Sequence, residues 1–176
     1  MGTKAWTWRR GYTAGVLVEL PNPALVLLIG VSGSGKSTFA RRHFRSTEIV
    51  SSDACRALVC DDEADQSATA DAFGLLHLIV EKRLKRGKRT VVDATNVQAW
   101  ARRLLLEQAK AADVPAVAIV LDVPEEVYSR RNARRERRVE PEVLEQQARD
   151  LRAGLATLRE EGFDQVHVLT PLEEAC

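Results

Sequence analysis

The sequence has few cysteines and few aromatic residues, and its charges almost cancel. The three cysteines, Cys55, Cys60 and Cys176, form no Cys-x-x-Cys pair and no Cys/His pair at ligand spacing. An odd, scattered set of this kind argues against a disulfide framework and against a zinc site. A reduced, cytoplasmic setting is therefore expected. The net charge of +1 creates no overall field that would attract nucleic acid.

Long hydrophobic runs are also missing. No apolar stretch approaches the roughly 20 residues of a membrane-spanning helix, so no membrane association is expected. The N-terminus lacks the apolar core of a secretory signal, and Trp6 stands where an N-myristoylation signal needs Ser or Thr. We interpret residues 1–15 as a short flexible extension. Residues 16–176 have the length of one domain with a proper core.

What the sequence does contain is a phosphate-binding motif. The apolar run Leu25–Ile29 leads into Gly30, from which the spacing is G-x-x-x-x-G-K-S. A strand before this loop and a helix after it are the context that the P-loop motif requires. The glycines allow backbone conformations that bring the loop N–H groups onto phosphate oxygens. The motif predicts a site for ATP or another nucleoside triphosphate as phosphate donor.

Each residue of the motif has an expected role toward the nucleotide. Lys36 is expected to place its charge on the β- and γ-phosphates, and the Ser37 hydroxyl to coordinate Mg²⁺. Thr38 is a candidate donor to the α-phosphate. The other predicted nucleotide contacts come from the loop itself, at Gly30, Ser32, Gly33, Ser34 and Gly35.

Alternating strand and helix patterns predict the fold. Apolar runs predict five strands, at Leu25–Ile29, 49–53, Thr90–Asp93, Ala116–Leu121 and 166–169. Residues 16–20 are at most an edge strand. Helical periodicity fills the intervals, and the last helix is predicted over 141–161. The alternation predicts an α/β fold with a mostly parallel five-stranded sheet flanked by helices, as in adenylate-kinase-like P-loop NTPases.

Polar residues at the strand ends point to one site, because ligands bind at the carboxyl edge of a parallel sheet. Asp53 ends the second strand and is a candidate general base, although an Asp there also suits a helix cap. Arg56, one helical step further on, is a candidate to hold an acceptor phosphate. Asp93 is a candidate to support the metal, with a cap or turn role as the alternative. Residues 61–65 are acidic and are interpreted as solvated surface.

A second informative segment carries six arginines between positions 130 and 138. Arg131 and Arg135 are four residues apart, which on a helix places them on one face. Arginines on a mobile element can close over the γ-phosphate and stabilise charge that develops during transfer. The segment therefore predicts an arginine-bearing lid. A solvated basic face is the other interpretation, which we favour for Arg130, Arg134 and Arg137.

Taken in order, several motifs resemble one family. They are G-V-S-G-S-G-K-S-T, S-S-D-A-C-R, D-D-E-A-D-Q and V-V-D-A-T-N, followed by the arginine segment. The chain resembles the 5′-hydroxyl polynucleotide kinase module of the bacterial RNA end-healing and sealing enzymes, and phage polynucleotide kinase more distantly. The resemblance covers everything after residue 15. It implies Mg-dependent transfer of the γ-phosphate of ATP to the 5′-OH end of RNA or DNA, in nucleic-acid repair.

The resemblance also implies roles for individual residues. Asp53 would be the general base for the 5′-OH, and Arg56 would bind the phosphate of the acceptor strand. Arg131 and Arg135 would contact the donor phosphates, with Arg138 as a third lid contact. The family has fewer arginines in its lid, so the residue used here remains open among Arg134, Arg135, Arg137 and Arg138.

The family's longer proteins continue into a phosphatase domain and a ligase-like domain, which this sequence does not contain. The chain is thus expected to be either an excised module or a stand-alone kinase, with such domains as partners. A homo-oligomer is compatible with the sequence. Two other functions remain open, a kinase of a small-molecule hydroxyl and an ATPase or nucleotide-dependent switch. The first would ignore an oligonucleotide end, and the second would tolerate the loss of the Asp53 carboxylate.

Overall fold

The computed structural model describes residues 4–7, 17–135 and 138–170. The strands in these ranges are β1 Lys4–Thr7, β2 Leu17–Leu20, β3 Leu25–Ile29, β4 Ile49–Ser51, β5 Thr90–Asp93, β6 Ala116–Leu121 and β7 Gln165–Leu169. The α-helices are α1 Lys36–His43, α2 Ser52–Cys60, α3 Thr69–Lys85, α4 Ala99–Ala111, α5 Glu125–Ala133 and α6 Pro141–Thr157. Short 3-10 helices, Ser46–Glu48 and Gln66–Ala68, precede β4 and α3. None of the helices described has the length and apolar character needed to cross a bilayer.

Five strands form one parallel sheet in the order β4-β5-β3-β6-β7. The central strand is β3, and its unbroken aliphatic run suits burial on both faces. The chain crosses from one side of β3 to the other between β5 and β6. The crevice at the carboxyl end of β3 is therefore the topological switch point, where ligands bind in such sheets. The predicted five-stranded sheet flanked by helices is confirmed.

The side chains of β3 alternate between two hydrophobic clusters, one on each face of the sheet. Leu25, Leu27 and Ile29 belong to the cluster formed with α3, α4 and α6. Val26 and Leu28 belong to the cluster formed with α1. All five side chains are fully buried. The loop that follows β3 therefore starts from a strand that is packed on both sides.

The strand predicted at 16–20 exists, but it does not join the main sheet. Instead β2 pairs antiparallel with β1, from Lys4 opposite Leu20 to Thr7 opposite Leu17. The sequence analysis assigned no strand to residues 4–7. Leu20 is buried in the cluster on the α1 side of the main sheet, which attaches this two-stranded sheet to the domain. The rest of the predicted extension lies outside the described residues.

Two predicted boundaries were wrong. The second strand of the prediction ends at Ser51 rather than at Asp53, because the Ser51 hydroxyl accepts a hydrogen bond from the Ala54 N–H at 3.4 Å and caps α2. Asp53 therefore lies in the first helical turn. The last helix ends at Thr157 instead of residue 161. Beyond it the chain tightens, because the N–H groups of Glu160 and Glu161 donate to carbonyls three residues back, those of Thr157 and Leu158.

A buried ion pair connects α4 to the segment after α6. Arg102 is 1% exposed, and its Nε and Nη2 donate to the Glu161 carboxylate at 2.6 and 2.5 Å. Its Nη1 donates to the carbonyls of Asn96 and Val97 at 2.9 and 2.7 Å. The guanidinium thereby fixes the loop that follows β5.

Replacing Glu161 with Gln should destabilise the fold, because the buried guanidinium of Arg102 would lose its counter-charge. Removing one partner of a buried ion pair costs about 3 kcal/mol. The matched control is Glu160→Gln, since Glu160 is exposed and carries the same charge. Urea unfolding followed by circular dichroism measures both free energies. Equal unfolding midpoints for the two variants would contradict a structural role for the pair.

Candidate active site

One cavity of about 1010 Å³ lies at the carboxyl edge of the parallel sheet. The P-loop, α1, the first turn of α2, the loop after β5 and the segment after α5 contribute to its wall. Eight of the residues predicted from sequence line it together: Ser32, Gly33, Gly35, Lys36, Ser37, Asp53, Asp93 and Arg135. Residues that follow different strands, and are far apart along the chain, thus lie together at the carboxyl edge of the sheet, as predicted.

Two glycines give the P-loop its shape. Gly33 has a φ of 88° and Gly35 a φ of 100°, in the region that side chains disfavour. A Cβ atom on Gly33 would lie 2.7 Å from the carbonyl oxygen of Tyr128 in α5, so only glycine fits there. Gly35 is the N-cap of α1 and turns the helix N-terminus toward the cavity. Free N–H groups at such a terminus favour bound phosphate.

The ammonium of Lys36 lies inside the loop rather than in solvent. Its Nζ donates to the carbonyls of Gly30 and Val31 at 2.8 and 2.9 Å, and the residue is 8% exposed. Burial lowers the pKa of Lys36 to about 8, against the opposing attraction of Asp93, and the positive charge of Arg135 adds to the lowering. The ammonium group that is expected to bind phosphate is therefore hydrogen-bonded to carbonyl oxygens of the loop itself.

Ser37 and Asp93 form a pair of oxygen groups beside the loop. The Ser37 hydroxyl donates a hydrogen bond to the Asp93 carboxylate at the end of β5. Burial raises the pKa of Asp93, and this hydrogen bond counteracts part of the rise. A hydroxyl and a carboxylate suit Mg²⁺, which takes oxygen ligands and retains waters. In the described ranges no group of three or more His, Cys, Asp or Glu side chains could hold a metal ion.

Helix capping explains neither of the two carboxylates. The N-cap of α2 is Ser51, and the N-cap of α4 is Gln98. The cap role considered for Asp53 and Asp93 is therefore wrong for both, while the turn role considered for Asp93 stays open.

Arg56 holds Asp53 toward the cavity. Its Nη1 donates to Asp53 Oδ1 at 2.8 Å and to the backbone carbonyl of Glu63 at 2.9 Å. The Arg56 side chain is 5% exposed and the Asp53 side chain 55% exposed, so the carboxylate is the accessible member of the pair. The Nε–H of Arg56 is buried and has no hydrogen-bond partner among the described residues. Glu63, from the acidic segment interpreted as solvated surface, also lines the cavity.

The arginines of the lid do not share a helix face, contrary to the prediction. Helix α5 ends at Ala133, so Arg135 lies beyond it. The reason is Asn132, whose buried amide donates to the Val139 carbonyl at 2.8 Å and accepts from the Val139 N–H at 2.9 Å. These two bonds turn the chain back toward α6 and close a loop that carries Arg135 over the cavity.

The remaining arginines lie in different places. Arg131 contacts the P-loop itself, and its Nη1 donates to the Ser34 carbonyl at 3.2 Å. Arg138 lines a neighbouring cavity of about 470 Å³ between α5 and α6. Arg134 is the exposed C-cap of α5, and Arg137 lies outside the described residues. The structure thus places Arg135 on the wall of the main cavity and Arg131 on the back of the loop.

Sequence reasoning missed the side chains that brace the site. Besides Asn132, Gln147 of α6 accepts a hydrogen bond from the Ser32 N–H at 2.8 Å. The Thr95 carbonyl accepts from the Gly30 N–H at 3.0 Å. Ser32 and Gln147 are 115 residues apart, and no local pattern marks them as partners. Spacing along a helix could have identified Arg41, which lines the cavity four residues after Ser37.

The glycine loop with its buried lysine, at the switch point of a parallel sheet, defines a P-loop kinase fold, and this fold implies nucleotide binding. The family model described as AAA domain (AAA_33) matches residues 25–158. The chain belongs to this family.

Solved structures show the same fold. The chain is similar to a chain of the Pnkp1/Rnl/Hen1 RNA repair complex, with 22% identity and a TM-score of 0.67, over 78% of this chain and 47% of that one. A second Pnkp1/Rnl/Hen1 structure matches with 25% identity and a TM-score of 0.54, over 68% and 41% of the two chains. A sugar kinase from Janibacter sp. HTCC2649 matches with 24% identity and a TM-score of 0.53, over 84% and 85%. The chain thus spans about half the length of the RNA repair chains, whose similarity agrees with the resemblance noted from the motifs.

Nucleotide binding should take up a proton above pH 8. The unbound Lys36 has a pKa of about 8, below its ordinary value of 10.5, and a bound triphosphate favours the charged form. Between these two values the free lysine is largely neutral, so binding must protonate it. Calorimetric titration with ATP at about pH 9, in two buffers of different ionisation enthalpy, measures the uptake. Lys36→Met should abolish it, and equal binding enthalpies of the native chain in both buffers would refute the assignment.

Proposed function

We propose that the protein transfers the γ-phosphate of ATP, or of another nucleoside triphosphate, to the 5′-OH end of RNA or DNA during nucleic-acid repair. The observation that carries this proposal is the position of Asp53. Its carboxylate, held by Arg56, shares one cavity with Lys36 and with the Ser37–Asp93 pair. Typical ligand pockets occupy about 300–1,000 Å³, and this cavity of about 1010 Å³ has room for a triphosphate and an acceptor end.

The donor side is the P-loop. When a nucleotide binds, Lys36 exchanges the carbonyls of Gly30 and Val31 for oxygens of the β- and γ-phosphates. The N–H groups at the start of α1 surround the phosphates, and the Thr38 hydroxyl lies there for the α-phosphate. The N–H groups of Ser32 and Ser34 are instead bonded to Gln147 and to the Val31 carbonyl. Mg²⁺ held by Ser37 and Asp93 would neutralise charge on the β- and γ-phosphates.

The acceptor side is the first turn of α2. Asp53 accepts the proton of the 5′-OH as its oxygen attacks the γ-phosphorus, and ADP leaves with the electron pair of the broken P–O bond. Arg135 and Lys36 stabilise charge on the transferred group. Arg56 is assigned to the acceptor phosphate by the motif resemblance; in the structure it lies behind Asp53 and does not itself line the cavity.

The lid completes the donor site. Arg131 already contacts the P-loop, and we place it on the donor phosphates once the lid closes. Arg138 would have to move across from the neighbouring cavity to join it. The similarity to the RNA repair chains supports a polynucleotide acceptor, and we propose that the domain works with other end-healing and ligase domains in a longer protein or a complex. The sugar kinase matches over most of both chains, which supports a small-molecule acceptor as the second candidate.

Asp53→Asn should abolish transfer while ATP binding is retained. Loss of a general base lowers the rate by about 10²–10⁴-fold, whereas the amide keeps the shape of the side chain. Transfer from labelled ATP with Mg²⁺ is measured on a 5′-OH oligonucleotide, beside a 5′-phosphorylated oligonucleotide and a panel of sugars. Asp71→Asn is the matched control, because Asp71 is exposed in the first turn of α3.

The result of this assay separates the three functions. Transfer to the 5′-OH oligonucleotide alone supports the proposal. Transfer to a sugar alone replaces it with the second candidate, and ATP hydrolysis that is unaffected by Asp53→Asn indicates an ATPase or switch.

Arg135→Ala should lower kcat by about 10²-fold with a much smaller change in nucleotide affinity, because its charge acts mainly on the transferred group. The control is Arg130→Ala, an exposed arginine of α5 that lines neither cavity described above. Steady-state kinetics and equilibrium binding of a non-hydrolysable ATP analogue measure the two effects. Equal losses in kcat and in affinity would argue against a lid role in the transfer step.

A further inference from the structure

One part of the cavity wall is not used by the chemistry proposed above. It comprises Arg41 and Phe44, at the end of α1, and Ser46 and Ile49, on the segment that leads into β4. We call these four residues the α1 strip. The nucleotide phosphates lie at the P-loop and the attacking hydroxyl lies at Asp53. The α1 strip lines the same cavity as both of these groups.

Arg41 projects into the cavity from the same face of α1 as Ser37. The two residues are four positions apart on the helix, so Arg41 lies about 6 Å further along its axis. Burial raises the pKa of Asp93 and the charge of Arg41 acts against this rise, which agrees with a guanidinium directed toward the site. Arg41 is exposed, and no hydrogen bond or ion pair engages it within the described part of the chain.

Arg56, the cation proposed above for the acceptor, can contact the acceptor only near its reacting 5′ end. Arg56 is 4% exposed, and its Nη1 is engaged by Asp53 and by Glu63. An acceptor that continues as a strand presents further phosphates at some distance from this buried group. Arg41 is the accessible cation of the cavity wall on the side of α1 and β4.

The other members of the α1 strip fit the rest of a nucleotide. Phe44 is largely buried and Ile49 is half-buried, and both line the cavity beside Arg41 and Ser46. A cation next to an apolar surface is the combination that single-stranded nucleic acid requires, because backbone charge and base faces alternate along the strand. A small polar acceptor such as a sugar would use neither the charge nor the apolar edge.

We propose that the α1 strip binds the acceptor strand beyond its first phosphodiester, with Arg41 paired to a backbone phosphate and a nucleobase against Phe44 and Ile49. The inference rests on the proposed function and deepens it. It narrows the acceptor to a single-stranded polynucleotide end with at least two internucleotide linkages.

The test compares Arg41→Ala with Arg42→Ala. Arg42 is the next residue of the same helical turn, is exposed and does not line the cavity, so it controls for helix and net charge. The acceptors are 5′-OH oligonucleotides, each with one neutral methylphosphonate linkage at a different position. For the native chain, one neutral linkage beyond the first should lower kcat/KM about tenfold, as expected for the loss of a charge-assisted hydrogen bond.

For Arg41→Ala, the unmodified oligonucleotide should show the same loss, and that neutral linkage should cause no further loss. The salt dependence of oligonucleotide binding should also become shallower by about 0.7, the value for one phosphate contact on a single strand. Arg42→Ala should resemble the native chain in both measurements.

The inference is overturned if Arg41→Ala behaves like Arg42→Ala, or if every neutral linkage affects Arg41→Ala as it affects the native chain. Failure of the proposed function has a different signature, since the native chain and Arg42→Ala would then phosphorylate no oligonucleotide at all.

Discussion

The site is organised around the buried cation of the phosphate loop, the ammonium of Lys36. A cation removed from water must find partners, and in the absence of phosphate the carbonyls of Gly30 and Val31 supply them. These same carbonyls belong to the loop that leads into the N-terminus of α1 at the cavity. The carbonyl groups of the loop therefore face Lys36, whereas the N-terminus of α1 faces the cavity. Contacts from other elements hold the loop in this shape. A ligand with several adjacent negative charges can compete for the lysine, whereas a single weak anion gains less from displacing it.

The restraints on the loop come from three directions. The strand β3 fixes its start, the Thr95 carbonyl receives the Gly30 N–H, and the α5–α6 layer supports its far side. Within that layer, Arg131 and Gln147 bind the loop backbone from two different helices. Asn132 then fixes where the chain leaves α5. The loop shape and the point where the chain leaves α5 are thus linked through two neighbouring residues of that helix, Arg131 and Asn132.

Much of this arrangement could be predicted from the sequence, because its signals are local. The glycine spacing and aliphatic run around residues 25–37 predict the loop, and the alternation of elements predicts the parallel sheet. The strand-end rule then brings Asp53 and Asp93 to the same edge, although Asp53 belongs to the helix that follows its strand.

The parts that could not be predicted depend on contacts between distant residues. Arg131 and Arg135 were placed on one helix face because the sequence offers no local stop signal at Ala133. The stop is the two-bond contact between Asn132 and Val139. The hydrogen bond from Ser32 to Gln147, and the pairing of β2 with a strand at residues 4–7, likewise join segments with no shared pattern.

The bond between Ser32 and Gln147 has a consequence for synthesis on the ribosome. The chain emerges from its N-terminal end, so the glycine loop appears 115 residues before the glutamine that steadies it. Until α6 has left the exit tunnel, a nascent chain carries the motif without its finished shape. The full set of hydrogen bonds to the loop is therefore complete only late in translation.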